Sequence, residues 1–215
     1  MTIASNVSRI LAETKGAQVI AATKYVEADA IRELYAAGIR DVGENRVQDL
    51  LRKQQLLADV PLSWHFLGSL QTNKVKAMIN QIAMLHSLDR ISLAETIQKH
   101  RRETLPCFVE VNVAEERTKA GISPDNLLDF CRNMVKYDKI VIVGLMTMAP
   151  LTDDRALLRS VFTRLGALRD SVSGLHLSHA PCTFLSMGMS NDYRIALACG
   201  ATHLRLGTIL YRNGE

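Results

Sequence analysis

Residues 19–25 read VIAATKY, an apolar run rich in Val, Ile and Ala that ends on a single lysine, Lys24. Such a run is too short for a comfortable helix and fits a strand covered on both faces, the environment of a parallel sheet. Comparable runs recur along the chain: QVIAATK, IRDVGEN, SWHFLG, AMLHSLD, CFVEVNV, IVIVGLMTMA, CTFLSMG and HLRLGT, with amphipathic segments between them. Strands alternating with helices are the signature of a closed barrel or a doubly wound sheet, and a count of eight favours a (β/α)8 TIM-like barrel. At 215 residues the chain is shorter than the roughly 250 usual for that fold.

The helical segments support the alternation. In EADAIRELYAAG, Ile31, Leu34 and Tyr35 share a face and Gly38 follows as a C-terminal cap able to adopt positive φ. SNDYRIALACG repeats the device, with Ser190 as the N-cap and Gly200 as the stop, and a strand follows each glycine at the same offset, reaching Val42 and Leu204. After the eighth strand only ILYRNGE remains, too little for an outer helix. The opening segment carries Ile3, Val7, Ile10 and Leu11 at helical spacing and is predicted to dock there, closing the ring of helices.

Composition narrows the function classes. With 47% hydrophobic residues and no Pro/Gly/Ser-rich linker, the chain reads as one domain, residues 1–215. The net charge of +4 is spread out, and its densest knot, KHRRE at 99–103, reads as a solvated helix face and not as a nucleic-acid footprint. Without a secretory signal or a membrane-length apolar run, the expectation is a soluble cytoplasmic protein that engages neither nucleic acid nor membrane. Cys107, Cys131, Cys182 and Cys199 show no C-x-x-C pairing and read as reduced core thiols.

In a barrel the functional residues gather at the carboxyl ends of the strands. Those ends carry Lys24, Glu44 and Asn45, His65, His86, Asn112, Met148, Ser186 with Met187, and Arg205 followed by Gly207 and Thr208. A lysine at a buried strand end could be desolvated and form a Schiff base with an aldehyde. LSMGMS and RLGT place small residues, hydroxyls and backbone amides after strands seven and eight, where barrels commonly hold phosphate, with Thr208, Ser186 and Ser190 as hydroxyl donors and Gly207 permitting close approach. Alternation in HLRLGT sets His203, Arg205 and Gly207 on one face and Leu204 and Leu206 on the other, so Arg205 is expected in the barrel mouth, where its charge needs an acceptor. His176 and His179 lack a third ligand and read as an exposed pair, and no metal site is expected. The methionines at 146, 148, 187 and 189 read as packing of the barrel end, with Met187 also able to touch a ligand. G-x-G-x-x-G, Walker, H-E-x-x-H and G-x-S-x-G motifs are absent from the sequence.

A Schiff-base lysine, a phosphate cradle and an inward arginine together describe pyridoxal 5′-phosphate in a barrel. At this level the chain resembles the pyridoxal phosphate homeostasis proteins of YggS/PROSC type, related to the N-terminal barrel of alanine racemase. The resemblance rests on ATK at the end of strand one, GENRVQ at 43–48, WHFLGSLQTNK at 64–74, HSLDR at 86–90, VNVAEERTKAGI at 111–122, GLMTMA at 144–149, LSMGMSNDY at 185–193 and RLGT at 205–208. It implies that Lys24 forms the internal aldimine, Asn45 lies beside the cofactor and Arg205 faces the pyridine nitrogen. It further implies that Ser186, Gly207 and Thr208, with backbone near Met187, hold the phosphate, and that His65 lines the same mouth. Ser69, where relatives often carry a bulkier residue or proline, and the tail ILYRN, where they usually carry a Phe-Gly pair, depart from the family pattern.

An always-charged arginine should leave the pyridine nitrogen unprotonated and support carbanion chemistry poorly. Racemases of this lineage add a tyrosine base from a C-terminal β domain, which this sequence does not contain; of its tyrosines, only Tyr25 is placed near the mouth by the strand reading. The expectation is a monomeric, non-catalytic carrier or regulator in vitamin B6 homeostasis, with pyridoxal-phosphate-dependent apo-enzymes as acceptors. The alternative is an amino-acid racemase or lyase of narrow specificity.

Overall fold

The computed structural model describes residues 2–14, 16–116 and 119–211. Eight parallel strands close into a barrel in chain order: β1 (Gln18–Ala22), β2 (Asp41–Glu44), β3 (Ser63–Phe66), β4 (Met84–Leu88), β5 (Leu105–Glu110), β6 (Ile140–Met146), β7 (Phe184–Ser186) and β8 (His203–Leu206). Closure is made by β8 on β1, from Gln18↔His203 to Ala21↔Leu206. Val19, Ile20 and Ala21 are buried, as a strand covered on both faces requires. On β8 the alternation sorts chemistry as expected. Leu204 and Leu206 join the apolar layer under the helices, whereas the His203 ring packs inside against Phe108 and Phe184, with centroids 4.9 and 5.1 Å away.

The outer ring comprises α1 (Ile3–Glu13), α2 (Ala28–Ala36), α3 (Val47–Leu56), α4 (Thr72–Met78), α5 (Ile91–His100), α6 (Leu127–Asn133), α7 (Arg155–Ser173), α8 (Tyr193–Ala198) and the single turn α9 (Thr208–Tyr211). α1 starts in a capping box between Thr2 and Ser5. It packs against α2 and α9, donates from Asn6 Nδ2 to the Leu210 carbonyl, and receives the Tyr193 hydroxyl of α8 on Glu13. The N-terminal helix therefore occupies the ring position that a helix after β8 would fill. Its buried face is Asn6, Val7 and Ile10, while Leu11, expected on that face, is exposed.

Gly38 and Gly200 end α2 and α8 at φ +110° and +88°, a conformation glycine adopts without steric penalty. Ser190 does not cap α8. That position belongs to Asp192, and the Ser190 hydroxyl is used elsewhere, as described below. Arg101 of the basic knot is not merely solvated, because its guanidinium donates to the carbonyls of Ile79 and Ile82. Cys107, Cys131 and Cys182 are buried and all four cysteines are free. Among the described residues no helix is long and apolar enough to cross a membrane. Arg212 and Asn213 of the tail segment lie outside the described residues.

Candidate functional site

At the carboxyl ends of the strands a cavity of about 470 Å³ opens between the loops after β1, β6, β7 and β8, within the range of ligand pockets. Lys24, Arg205, Gly207 and Thr208 all line it, as does Ser190. Apolar wall comes from Ala22, Val26, Ala149 and Leu151. Four residues separated by as many as 184 positions in the chain are thus brought together by barrel closure.

Lys24 lies two residues beyond the end of β1. It is exposed, not desolvated as expected, and its amine sits 4.9 Å from the centre of the Tyr25 ring. The buried lysine is Lys53 of α3, which donates to the Thr23 carbonyl at 2.6 Å and to Glu44 Oε1 at 2.7 Å. Thr23 Oγ1 donates to the same Glu44 oxygen at 2.5 Å, and the Tyr211 hydroxyl donates to the Ala22 carbonyl at 3.3 Å. The backbone that presents Lys24 is therefore clamped from below by an ion pair with side chains 2% and 0% exposed. Sequence reasoning missed this hub, although the signal was present: Val47, Leu50, Lys53 and Leu57 form one apolar stripe broken by a charge.

Arg205 enters from β8 and is almost completely buried. It donates from Nη1 to Ser186 Oγ at 2.6 Å and from Nη2 to the Thr147 carbonyl at 2.9 Å. Burial draws its pKa down to about 10, against the opposite pull of Glu110 and Asp192, so it remains a cation at neutral pH. Burial in turn pushes Glu110 up to about 7 and raises Asp192, whose Oδ1 accepts the Met189 amide at 2.5 Å.

Several expected members of the site lie elsewhere. Ser186 pairs with His203 on β8, which puts it on the rung beneath Arg205. Its hydroxyl serves the guanidinium and His86 and does not line the cavity. Met187 is fully buried and its amide donates to the His203 carbonyl; Met189 is the methionine at the cavity wall. His65 lies inside the barrel, 1% exposed, bonded to His86 and Asp41. Alternation turns the Met187 side chain into the apolar core, opposite to Ser186, and stagger sets Ser186 and His65 below the cavity, since equal distance from a strand end does not mean equal height in a sheared barrel. Asn45 is exposed at the end of β2, outside the cavity lining. Asn112 closes its own loop through the carbonyl and amide of Glu116. His179 is half-buried and bonded to the Cys131 carbonyl, so it and the exposed His176 are not a matched surface pair.

Where phosphate was expected, Ser190 Oγ accepts the amides of Gly207 and Ile209 at 3.2 and 3.4 Å, tying the loop after β7 to the start of α9. A Cβ on Gly207 would meet only Ala22, at 3.7 and 3.8 Å. Packing within the protein thus tolerates a side chain there, and glycine leaves that volume to the cavity. Tyr211 and Asn191, not expected from the sequence, complete the wall. Burial and then the Glu44 charge raise the Tyr211 phenol above its ordinary pKa.

The alanine racemase N-terminal domain family matches residues 1–213. The pyridoxal phosphate homeostasis protein of Aquifex aeolicus is 40% identical over 198 residues, 91% of this chain and 86% of that protein. PipY of Synechococcus elongatus superposes with a TM-score of 0.92 at 34% identity in its form without PLP, over 98% of this chain and all of that one. Its form with PLP bound superposes at 0.90 and 33%, with the same coverage.

Proposed function

Because this chain belongs to the alanine racemase N-terminal domain family and, within it, to the pyridoxal phosphate homeostasis proteins, we propose that it binds pyridoxal 5′-phosphate at the barrel mouth and takes part in cellular vitamin B6 homeostasis. The observation that carries this reading is one cavity lined by an amine, Lys24, a buried guanidinium, Arg205, and a Ser190–Gly207–Thr208 corner. When bound, this cofactor supplies an aldehyde that condenses reversibly with a lysine amine, with loss of one water. Lys24 is the residue for that linkage, and its exposure lets water return and release the cargo. Arg205 offers its uncommitted N–H groups to the ring nitrogen, Thr208 and the backbone around Gly207 hold the phosphate, and Asn45 borders the mouth. Ser186, Met187 and His65 act from beneath the cavity and not on the phosphate.

The residues favour holding over turnover. Arg205 stays charged and only donates, so it does not maintain a protonated ring nitrogen. The Tyr211 phenol is raised in pKa and committed to the Ala22 carbonyl, a poor arrangement for a base. The protein acts in this reading as a single-domain, monomeric cytoplasmic carrier or regulator that delivers cofactor to pyridoxal-phosphate-dependent apo-enzymes.

The test is borohydride reduction of the loaded protein followed by peptide mass spectrometry, on wild type and Lys24→Ala. A reduced pyridoxyl group on Lys24, lost in the variant, is expected; label scattered over surface lysines would sink the assignment. Loading should proceed without exchange of α-hydrogen across an amino-acid panel, and exchange with any member would replace the carrier by a racemase or lyase.

A further inference from the structure

Beneath Arg205 the barrel interior holds an unbroken line of polar contacts that the binding site does not itself use. Arg205 Nη1 donates to Ser186 Oγ at 2.6 Å. Ser186 Oγ lies 2.8 Å from His86 Nδ1, and His86 Nε2 lies 3.0 Å from His65 Nδ1. His65 Nε2 lies 3.1 Å from Asp41 Oδ1, with Ser63 Oγ at 3.4 Å. Asp41 begins β2, and its carboxylate is 18% exposed at the end of the barrel opposite the cavity. Ser186, His86 and His65 are 0%, 0% and 1% exposed.

The ends dictate the direction. A guanidinium can only donate and an ionised carboxylate can only accept. Burial raises the Asp41 pKa, but hydrogen bonds from His65, Gln18 and Ser63 outweigh it and the net displacement is downward. For one proton per ring, the carboxylate takes the His65 proton on Nε2, and His86 donates from Nε2 to His65 Nδ1. His86 Nδ1 then accepts the Ser186 hydroxyl, whose oxygen is left to accept from Arg205. Burial is the main force keeping His86 unprotonated. The other ionisable groups around the line make no hydrogen bond to His65, His86 or Ser186 among the described residues. His203 on β8 bonds Thr202, Asp192 bonds the Met189 amide, and Glu110 on β5 acts on Arg205 only through its charge.

We propose that Asp41, His65, His86 and Ser186 are positioning residues for Arg205, forming a one-way relay from cation to carboxylate that fixes both imidazole tautomers and orients the guanidinium toward the cavity. With one N–H on Ser186 and one on Thr147, three of the five guanidinium protons make no hydrogen bond among the described residues and remain for a ligand. The link to cofactor binding rests on the function proposed above; the relay itself does not.

Two measurements decide it. In wild-type protein without cofactor, ¹⁵N–¹H correlation spectra of the imidazoles should show the Nε2–H tautomer for both His65 and His86, and an Nδ1–H tautomer at either overturns the relay. In cofactor-loaded protein, Asp41→Asn and Ser186→Ala should move the midpoint of the visible absorbance against pH in the same direction and weaken loading roughly threefold to tenfold. His203→Gln, which is off the relay, should leave that midpoint in place. Movement with Ser186→Ala but none with Asp41→Asn would end the relay short of β2 and refute it as drawn. If wild type takes up no cofactor, the binding proposal fails, while the tautomers still decide the relay.

Discussion

Two lysines meet the end of β1 from opposite sides. Lys24 is exposed at the cavity wall with the Tyr25 ring beside its amine. Lys53 is 1% exposed and spends its ammonium on Glu44 and the Thr23 carbonyl, one residue before Lys24. The accessible amine can react and the enclosed one cannot, because a buried charge is held by its partners while an exposed one is free to exchange them. In the proposed reading the mouth carries chemistry that costs the fold little, and the hub below carries fold energy on which that chemistry depends.

The sharpest test of this division is Lys53→Ala, which leaves Glu44 buried and uncompensated; Glu44 Oε2 already has no hydrogen-bond partner among the described residues. Denaturant titration should register a loss of about 3–5 kcal/mol, and thermal melting a drop on the order of 10 °C. An unchanged midpoint would show the hub to be dispensable.

Acid probes the closed interior next. Burial lowers His203 to about 4 from 6.5, so between those values the unfolded chain binds the proton that the folded one refuses. The stability is present above pH 6.5 and is lost as pH falls toward 4, by about 3 kcal/mol for this group. Chemical denaturation at intervals from pH 7 to 4 should show that slope, flattened in His203→Gln.

Smaller still is Tyr211→Phe, which removes the hydrogen bond to Ala22 at the rim of the hub and should cost about 1 kcal/mol by denaturation. Lys24→Ala completes the series. Its stability should stay within about 0.5 kcal/mol of wild type, while the borohydride-trapped adduct disappears. A destabilised Lys24 variant would erase the contrast between the two lysines.

The barrel was legible because its signal is periodic. Eight apolar runs between amphipathic segments need no knowledge of contacts, and all eight became strands. Lys24, Arg205, Gly207 and Thr208 were legible because each lies within two residues of a strand's carboxyl end. Lys53 was equally visible as a charge on the stripe of Val47, Leu50 and Leu57, but a search confined to strand ends passes over a helix. Ser186 and His65 lie on the strands expected but face the barrel interior beneath the cavity, and Met187 follows β7 with its side chain in the core. Ser190 was assigned to the nearest helix, α8, and serves the next one, α9.

By itself, then, the amino-acid sequence determined the strand count, the face of each β8 residue and the arginine–lysine–glycine set at the mouth, since period two and strand-end position are properties of the chain alone. Only the tertiary structure decided which lysine is buried, that Ser190 ties the loop after β7 to α9, and that Asp41, His65, His86 and Ser186 stand in line beneath Arg205. Those facts follow from the stagger between neighbouring strands and from helix docking, which bring together residues whose separation in sequence carries no record of their height in the barrel.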